Sequence, residues 1–275
     1  MTGVQTCALP ISFNSYARLA HWTDLHLTKN DETTTLEDNP SPNPTFRRLV
    51  ETYEQAFQEI DVILLSGDIT DQGLKSEWDF FFKNLSSSLI DKLVLVPGNH
   101  DLNISMDAKK GQSLDDWARV ARKVYCQQTF DLVQGHRSRF FNGKKFVILR
   151  EFMQENQEDF STFWKSHHDS QKKLMKLDDQ KALLRADILT SCIYPLVVRT
   201  ENPYPIDVVV FNSIPIGTNL LSNAFGTIGW QQLSIFRDQI LSEPEREKTP
   251  CILSMHHHVG LPHEAFSWHQ KRKFV

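Results

Sequence analysis

Three polar side chains with complementary chemistry stand together directly after an apolar run. The run Leu93–Val96 leads into a Pro-Gly turn, and Asn99, His100 and Asp101 follow it. An apolar run that stops at such a turn is typical of a buried strand. An amide, an imidazole and a carboxylate can ligate a metal ion, transfer a proton and orient the group that transfers it. The sequence therefore predicts a reactive site at the end of this strand.

Two earlier stretches repeat the order of apolar strand, turn and polar ligand. A short apolar segment leads to Asp24 and His26, and a clearer one, Val62–Leu65, leads to Asp68 and Asp71. In an extended segment, the Asp-x-His spacing places both side chains on the same side, as a shared ion requires. Ligands of open α/β sheets bind beyond the carboxyl ends of the strands. We therefore expect three strands to bring these side chains to one point.

Together these stretches resemble the signature motifs of the calcineurin-like metallophosphoesterases. The matching stretches are Asp24-x-His26, Gly67-Asp68-x-x-Asp71, Gly98-Asn99-His100-Asp101 and a late strand from Cys251 that ends in His256-His257-His258. The resemblance covers about residues 16–275. It implies an α/β fold, a four-layer α-β-β-α sandwich of two mixed β-sheets flanked by helices.

The resemblance also implies a binuclear metal-dependent phosphoesterase. Asp24, His26 and Asp68 would hold one divalent ion, and Asp68, Asn99 and His256 the other, so that Asp68 bridges the two. A metal-bound hydroxide would then attack phosphorus in a phosphodiester or phosphomonoester. Manganese, iron and zinc all suit mixed oxygen and imidazole ligands, so the identity of the two ions is open.

His100 and Asp101 are assigned to catalysis rather than to metal binding. Because His100 follows a ligand, its ring is expected to protonate the leaving oxygen or to stabilise the transition state. Asp101 is expected to hold the other ring nitrogen and so to fix its orientation and tautomer. Asp71 is expected to support the ligands through hydrogen bonds.

The late histidines leave alternatives open. His256 comes first after the strand and is the expected ligand, with His257 or His258 as alternatives. The family's final Gly-His-x-His motif, which would add one histidine to each metal, is absent. We therefore predict a chain truncated at this end; the alternative is that His263 or His269 substitutes. A truncated chain would bind metal weakly or be inactive.

One domain, residues 12–275, is predicted after a leader of different origin. Residues 1–11 resemble the in-frame translation of a sequencing adapter and lack the basic and apolar regions of a signal peptide. Residues 102–205 are expected to form a helical elaboration that shapes the mouth of the site. Apolar residues at helical spacing predict helices over residues 45–59, 74–90, 113–134, 170–189 and 229–241.

Composition narrows the class of protein and its partners. With 40% hydrophobic and 23% charged residues among 275, the chain can bury one large core. A net charge of -4 gives no general attraction to nucleic acid or to an anionic membrane, and no apolar run reaches the roughly 18 residues of a membrane span. Four widely spaced cysteines form no Cys-x-x-Cys pair, which favours a reducing, cytoplasmic location. We expect a small phosphoester substrate, and the oligomeric state is open.

Two other functions share this motif set. A nuclease of the DNA-repair type would need a basic groove and an extended partner-binding end, and neither is evident. A non-catalytic scaffold that binds a protein usually loses the Asn-His pair, which this chain keeps at Asn99 and His100. Each acid taken alone would more simply be a turn former or a helix cap. The joint pattern favours the enzyme.

Overall fold

The computed structural model describes residues 4–12, 15–29, 40–102, 116–161, 181, 185–186, 188–200, 205–214, 226–244 and 246–257. At residues 4–12, 15–16, 116–121, 159, 161 and 247 it describes the backbone alone. The predictions for His258, His263 and His269, and most of the helix predicted over 170–189, lie outside these ranges.

Strands and helices alternate in the first third of the chain. The strands are β1 Val4–Ser12, β2 Ser15–Trp22, β3 Val62–Leu65, β4 Leu93–Leu95, β5 Ser138–Phe141, β6 Phe146–Ile148, β7 Leu196–Arg199, β8 Asp207–Val210 and β9 Cys251–Ser254. The helices are α1 Asn43–Gln58, α2 Lys75–Lys83, α3 Ser87–Ile90, α4 Asn99–Leu102, α5 Asp116–Gln134, α6 Leu149–Glu155, α7 Gln157–Ser161 and α8 Trp230–Ile235, which continues into a π-helical turn over Phe236–Ile240.

The strands form two sheets. The first has the order β1-β2-β3-β4, in which β2, β3 and β4 are parallel and β1 pairs antiparallel with β2 at the edge. The second has the order β6-β5-β7-β8-β9, in which β8 and β9 form the parallel pair. All of strand β1 except its last residue, Ser12, falls within the predicted leader, and its pairing does not bear on the origin of that segment, which stays a prediction.

Alternate residues of the first sheet face two different cores. Val62 and Leu64 of β3 pack in the cluster that contains Val208 and Val210 of the second sheet. Ile63, between them, packs instead with the aromatic side chains of α1 and α2. Successive side chains of a strand point to opposite faces, so this alternation is what a sheet covered on both faces requires.

The same clusters define four layers. Trp22, Phe46 and Phe81 pack between the first sheet and its helices, where all three are at most 3% exposed. On the far side, Val209 and Phe236 belong to a cluster between the second sheet and the helix that begins at Trp230. Helix, sheet, sheet and helix follow one another, and the predicted α-β-β-α sandwich is confirmed.

The stretch 102–205, predicted as a helical elaboration, also supplies part of a sheet. It contains β5, β6 and β7, which make up three of the five strands of the second sheet. Strands β5 and β7 are only four residues long, so their periodicity was too brief to separate them from the surrounding helices, whereas the sequence of β6, within 146–149, is compatible with a strand. The long helix predicted over 74–90 is likewise two helices, since α2 ends at Lys83 and α3 begins at Ser87.

Across the residues that the structure describes, no helix is both long and apolar enough to cross a bilayer.

Candidate metal centre

The first ligand turns are built from left-handed backbone. Asp24, His26 and Asp68 have φ values of 53°, 46° and 52°. Residues other than glycine rarely adopt this region, at a cost of order 1–3 kcal/mol each, and such positions cluster at functional sites. The prediction of an extended Asp-x-His segment is wrong. The two side chains converge because both residues are left-handed, and the Asp24 Oδ1 to His26 Nε2 distance is 3.8 Å.

Backbone hydrogen bonds lock the two left-handed turns together. The amide of Asp24 donates to the carbonyl of Gly67 at 3.2 Å, and the amide of His26 donates to that of Asp68 at 2.9 Å. In return, the amide of Asp71 donates to the carbonyl of Leu27 at 3.0 Å. These bonds continue the pairing of β2 with β3 beyond the ends of the strands, so the surrounding structure holds the strained residues in place.

Asp68 lies at the centre of the site. Its Oδ2 atom is 3.8 Å from His26 Nε2 and 3.2 Å from His256 Nε2. Its Oδ1 atom accepts the backbone N–H of His100 at 2.8 Å. The Asp68 side chain is 5% exposed, whereas those of Asp24 and His26 are 46% and 28% exposed. The site is therefore open on the side of the first ligand turn.

The His256 side chain reaches this centre from the second sheet. Its Nδ1 atom donates to the carbonyl of Ser66 at 2.8 Å, and its Nε2 atom lies 2.9 Å from Asn99 Oδ1. His257 points elsewhere, with its Nδ1 atom 2.8 Å from the hydroxyl of Ser213. Of these two alternatives, His256 is the residue that the fold brings to Asp68.

His100 is held by a carbonyl rather than by Asp101, so the predicted contact between Asp101 and the His100 ring is wrong. The Nδ1 atom of His100 lies 2.8 Å from the carbonyl oxygen of Asp71. A carbonyl only accepts, so Nδ1 carries the proton and Nε2 is the nitrogen left to act. The carboxylate of Asp101 instead accepts the amide and hydroxyl of Thr70 and the amide of Gly98, at 2.8 to 3.0 Å. It ties the second and third ligand loops together.

The charges in the site are strongly coupled. Burial acts to raise the pKa of Asp68, but the hydrogen bond and charge of His256 outweigh it. With further contributions from His100 and His26, they lower the pKa of Asp68 to about 2. Burial acts to lower the pKa of His256, yet the hydrogen bond to Asp68 and its charge raise that pKa to about 9. Without a metal, a proton on His256 supplies the positive charge that the buried carboxylate needs.

The chemistry of the donor set fits divalent cations. Atoms of Asp24, Asp68 and His256 lie within 4.8 Å of one another, and so do atoms of His26, Asp68 and His100. Asp68 belongs to both groups, as expected of a bridging carboxylate. The grouping differs from the predicted one in pairing Asp24 with His256 and His26 with His100. Carboxylate, amide oxygen and imidazole together suit manganese, iron or zinc.

Two glycines make room for this convergence. A Cβ atom on Gly67 would lie 2.5 Å from His256 Nδ1, and Gly67 has a φ of 97°. A Cβ atom on Gly98 would lie 2.0 Å from the backbone nitrogen of Asp68. The glycines that precede Asp68 and Asn99 therefore let the two ligand loops touch through their backbones.

The Gly98→Ala variant is expected to be destabilised by about 1–3 kcal/mol, because the methyl group forces β3 and β4 apart at the site. It should also bind less metal, since the displaced loop carries Asn99. Urea unfolding and elemental analysis measure the two effects. Gly229→Ala is the matched control, because a Cβ at Gly229 meets nothing within 4 Å. Equal stability of the two variants would contradict the close approach.

A further acid, Glu77, is buried beneath the site and was not predicted from the sequence. Its Oε2 atom accepts the amides of Gln72 and Leu74 at 3.0 and 2.9 Å, and the residue is fully buried. An acid at the third position of a helix that reaches back to the residue before the helix is half of a capping box. The N-cap residue is Leu74, where a capping box normally has a serine or threonine. The motif therefore could not be recognised from the sequence.

Burial raises the pKa of Glu77 from 4.5 to about 8. Because this pKa is higher in the folded state than in the unfolded state, Glu77 makes its full contribution to the free energy of unfolding below pH 4.5. That contribution is lost as the pH rises through 8. The Glu77→Gln variant cannot ionise, so its unfolding free energy should gain on wild type by about 1.4 kcal/mol per pH unit in that window. Chemical denaturation at pH 5 and pH 8 measures the difference; a difference that does not change with pH would contradict it.

The fold and the site define the class of protein. A four-layer α-β-β-α sandwich with carboxylates, imidazoles and an amide at its strand ends is an arrangement suited to metal-assisted chemistry on a bound ligand. A family model described as calcineurin-like phosphoesterase matches residues 17–189. The chain belongs to the calcineurin-like phosphoesterase family, whose members depend on metal ions. Comparison with curated proteins gives no significant match.

Proposed function

We propose that this protein is a binuclear metal-dependent phosphoesterase that hydrolyses a small phosphodiester or phosphomonoester. The observation that carries the proposal is the position of Asp68, whose carboxylate belongs to both groups of converging ligand atoms. Family membership supports the reaction class. A shared carboxylate is the group that two neighbouring cations need, because it lowers their mutual repulsion.

In this proposal the ligands divide between the two ions as the family's motifs imply, whereas the side-chain atoms themselves group Asp24 with His256 and His26 with His100. Asp24 and His26 would hold one ion and Asn99 and His256 the other, with Asp68 between them. Two such ions, when bound, lower the pKa of a water molecule toward neutrality and stabilise the charge on phosphoryl oxygens. The exposed side of the cluster at Asp24 leaves room for the phosphoester to approach.

His100 supplies the proton-transfer group of the proposed reaction. Its Nδ1 proton is engaged by the Asp71 carbonyl, and its ring lies against that of His26, with centroids 4.3 Å apart. The orientation is thereby fixed. Nδ1 keeps its proton, and Nε2 can take up a proton from water and pass it to the leaving oxygen. Asp101 contributes by holding the loops that carry Asp68 and Asn99 at their close approach.

Hydrolysis of bis-nitrophenyl phosphate by the full chain tests the proposal. We expect manganese-dependent release of nitrophenol that a chelator abolishes. An intact, metal-loaded protein that releases none would contradict it. Salt-sensitive binding and degradation of DNA would favour the nuclease instead, and a partner retained in chelator by a metal-free protein would favour the scaffold. The cytoplasmic location stays a prediction.

A further inference from the structure

The carbonyl that holds His100 belongs to a peptide group that is itself held from the other side. The C=O of Asp71 and the N–H of Gln72 are the two ends of one planar amide unit. Asp71 C=O accepts from His100 Nδ1 at 2.8 Å, and Gln72 N–H donates to Glu77 Oε2 at 3.0 Å. His100 and Glu77 are therefore hydrogen-bonded to opposite ends of the same rigid peptide group.

We infer that Glu77 is a positioning residue for His100, acting through the peptide group between Asp71 and Gln72. The inference rests on the proposed function, because it assigns His100 the proton-transfer role. Glu77 touches neither substrate nor ligand; it fixes the plane of the amide whose carbonyl aims the ring. Hydrogen bonds at the two ends of an amide also polarise it in the same sense, so each strengthens the other.

Neighbouring contacts make this link stiff. Glu77 Oε2 also accepts the amide of Leu74, so both amides that flank Gly73 are pinned by one oxygen atom. Gly73, with a φ of 68°, donates to the hydroxyl of Thr70, and a Cβ atom there would lie 2.4 Å from the carbonyl of Asp101. Gly73 is therefore packed tightly against the third ligand loop, and these contacts hold the segment that carries the Asp71 carbonyl.

The other oxygen of Glu77 explains why a glutamate suits this position. Oε1 is buried and has no hydrogen-bond partner among the described residues. An ionised carboxylate in that setting would be costly, whereas a protonated one leaves Oε2 as the acceptor of the two amides. The raised pKa of Glu77 agrees with this form. A glutamine would reproduce it, since its carbonyl oxygen can accept both amides.

Three variants separate positioning from simple support of helix α2. Glu77→Met keeps the volume of the side chain but removes the acceptor, and Glu77→Gln keeps the acceptor. Asn84→Ala is the matched control, because it removes the side-chain bond from Asn84 Nδ2 to the carbonyl of Phe80 at the opposite end of the same helix. A purely structural role would make Glu77→Met and Asn84→Ala behave alike.

Two measurements read the state of His100 directly. The first is proton exchange at His100 Nδ1 in the metal-free protein, followed by ¹⁵N NMR. The second is the ratio of turnover on a phenyl phosphodiester to turnover on bis-nitrophenyl phosphate. Nitrophenolate leaves without help from an acid, whereas phenolate needs a proton. The ratio therefore reports proton transfer by a correctly oriented His100 and is insensitive to a general loss of activity.

For folded Glu77→Met we expect Nδ1 exchange roughly tenfold faster and a turnover ratio roughly tenfold lower, comparable to losing one strong hydrogen bond. Glu77→Gln should restore both to within about twofold, and Asn84→Ala should change only stability. If folded Glu77→Met shows the wild-type rate of Nδ1 proton exchange and the wild-type turnover ratio, the inference is overturned. If Glu77→Met does not fold, Glu77→Asp, one methylene shorter, decides the same two readouts.

The protonation state of His100 in the wild-type protein also tests the inference, without any variant. His100 protonated only at Nε2 would overturn the inference outright. A protein whose His100 responds to Glu77 but which hydrolyses neither ester would support the positioning link and contradict the proposed function. Hydrolysis of the esters by a protein in which His100 does not respond to substitution of Glu77 would support the proposed function and contradict the positioning link.

Discussion

The Asp68→Asn variant is expected to lose roughly a thousandfold or more in kcat/KM, equivalent to about 4 kcal/mol of transition-state stabilisation. Asp68 is buried, and its Oδ2 atom lies within 3.2 to 3.8 Å of two histidines from opposite sides of the site. An amide has the same shape but no charge and one fewer acceptor, so it cannot compensate two cations. Metal content should fall together with activity.

Asp91→Asn is the matched control for this variant. Asp91 is exposed at the end of α3, and the same change of carboxylate to amide there should leave kcat/KM within about twofold. Elemental analysis and kinetics with bis-nitrophenyl phosphate measure both variants. If Asp68→Asn retains wild-type metal content and activity, Asp68 does not bridge two ions.

Adjacent histidines should give opposite phenotypes. The His256→Ala variant is expected to lose roughly 10²- to 10³-fold in kcat, as when one electrostatic contact to a transition state is removed. Its ring lies 2.9 Å from Asn99 Oδ1 and 3.2 Å from Asp68 Oδ2, so its removal takes away one of the proposed metal ligands. Metal titration of the purified variant should show weaker binding.

His257→Ala should keep its metal and lose stability instead. His257 bonds with the buried hydroxyl of Ser213, and its ring packs against Gly226, where a Cβ would lie 2.2 Å away. Removing the ring should cost about 1–3 kcal/mol, because it leaves a polar group buried without that partner. Thermal unfolding and metal titration of the two alanine variants form one experiment. A His257→Ala variant that loses metal while His256→Ala keeps it would reverse the assignment.

The elements that could be predicted are those whose hydrophobic pattern and flanking turn residues identify them without reference to distant parts of the chain. Strands β3 and β4 are short apolar runs bounded by turns, and α1 shows a clear helical period, so each was found within two residues. Strands β5 and β7 were missed because they are four residues long and bury their side chains through pairing with distant strands. Register with a distant partner leaves no mark on local periodicity.

The candidate site divides in the same way. Side chains at strand ends could be located from the sequence, because the ends of parallel strands meet. What holds them could not, because the holding groups are largely backbone atoms: the Asp71 carbonyl for His100, the Ser66 carbonyl for His256 and the Gly67 carbonyl for Asp24. Every residue has such a carbonyl, so residue type gives no hint of which one is used.

The central claim is that two cations lie on either side of Asp68. The most direct measurement is an anomalous difference map from crystals of the full chain grown with manganese. We predict two peaks in contact with the Asp68 carboxylate, one beside His26 and Asp24 and one beside Asn99 and His256. A map with no peak at Asp68, in crystals of folded protein at saturating manganese, would contradict the claim.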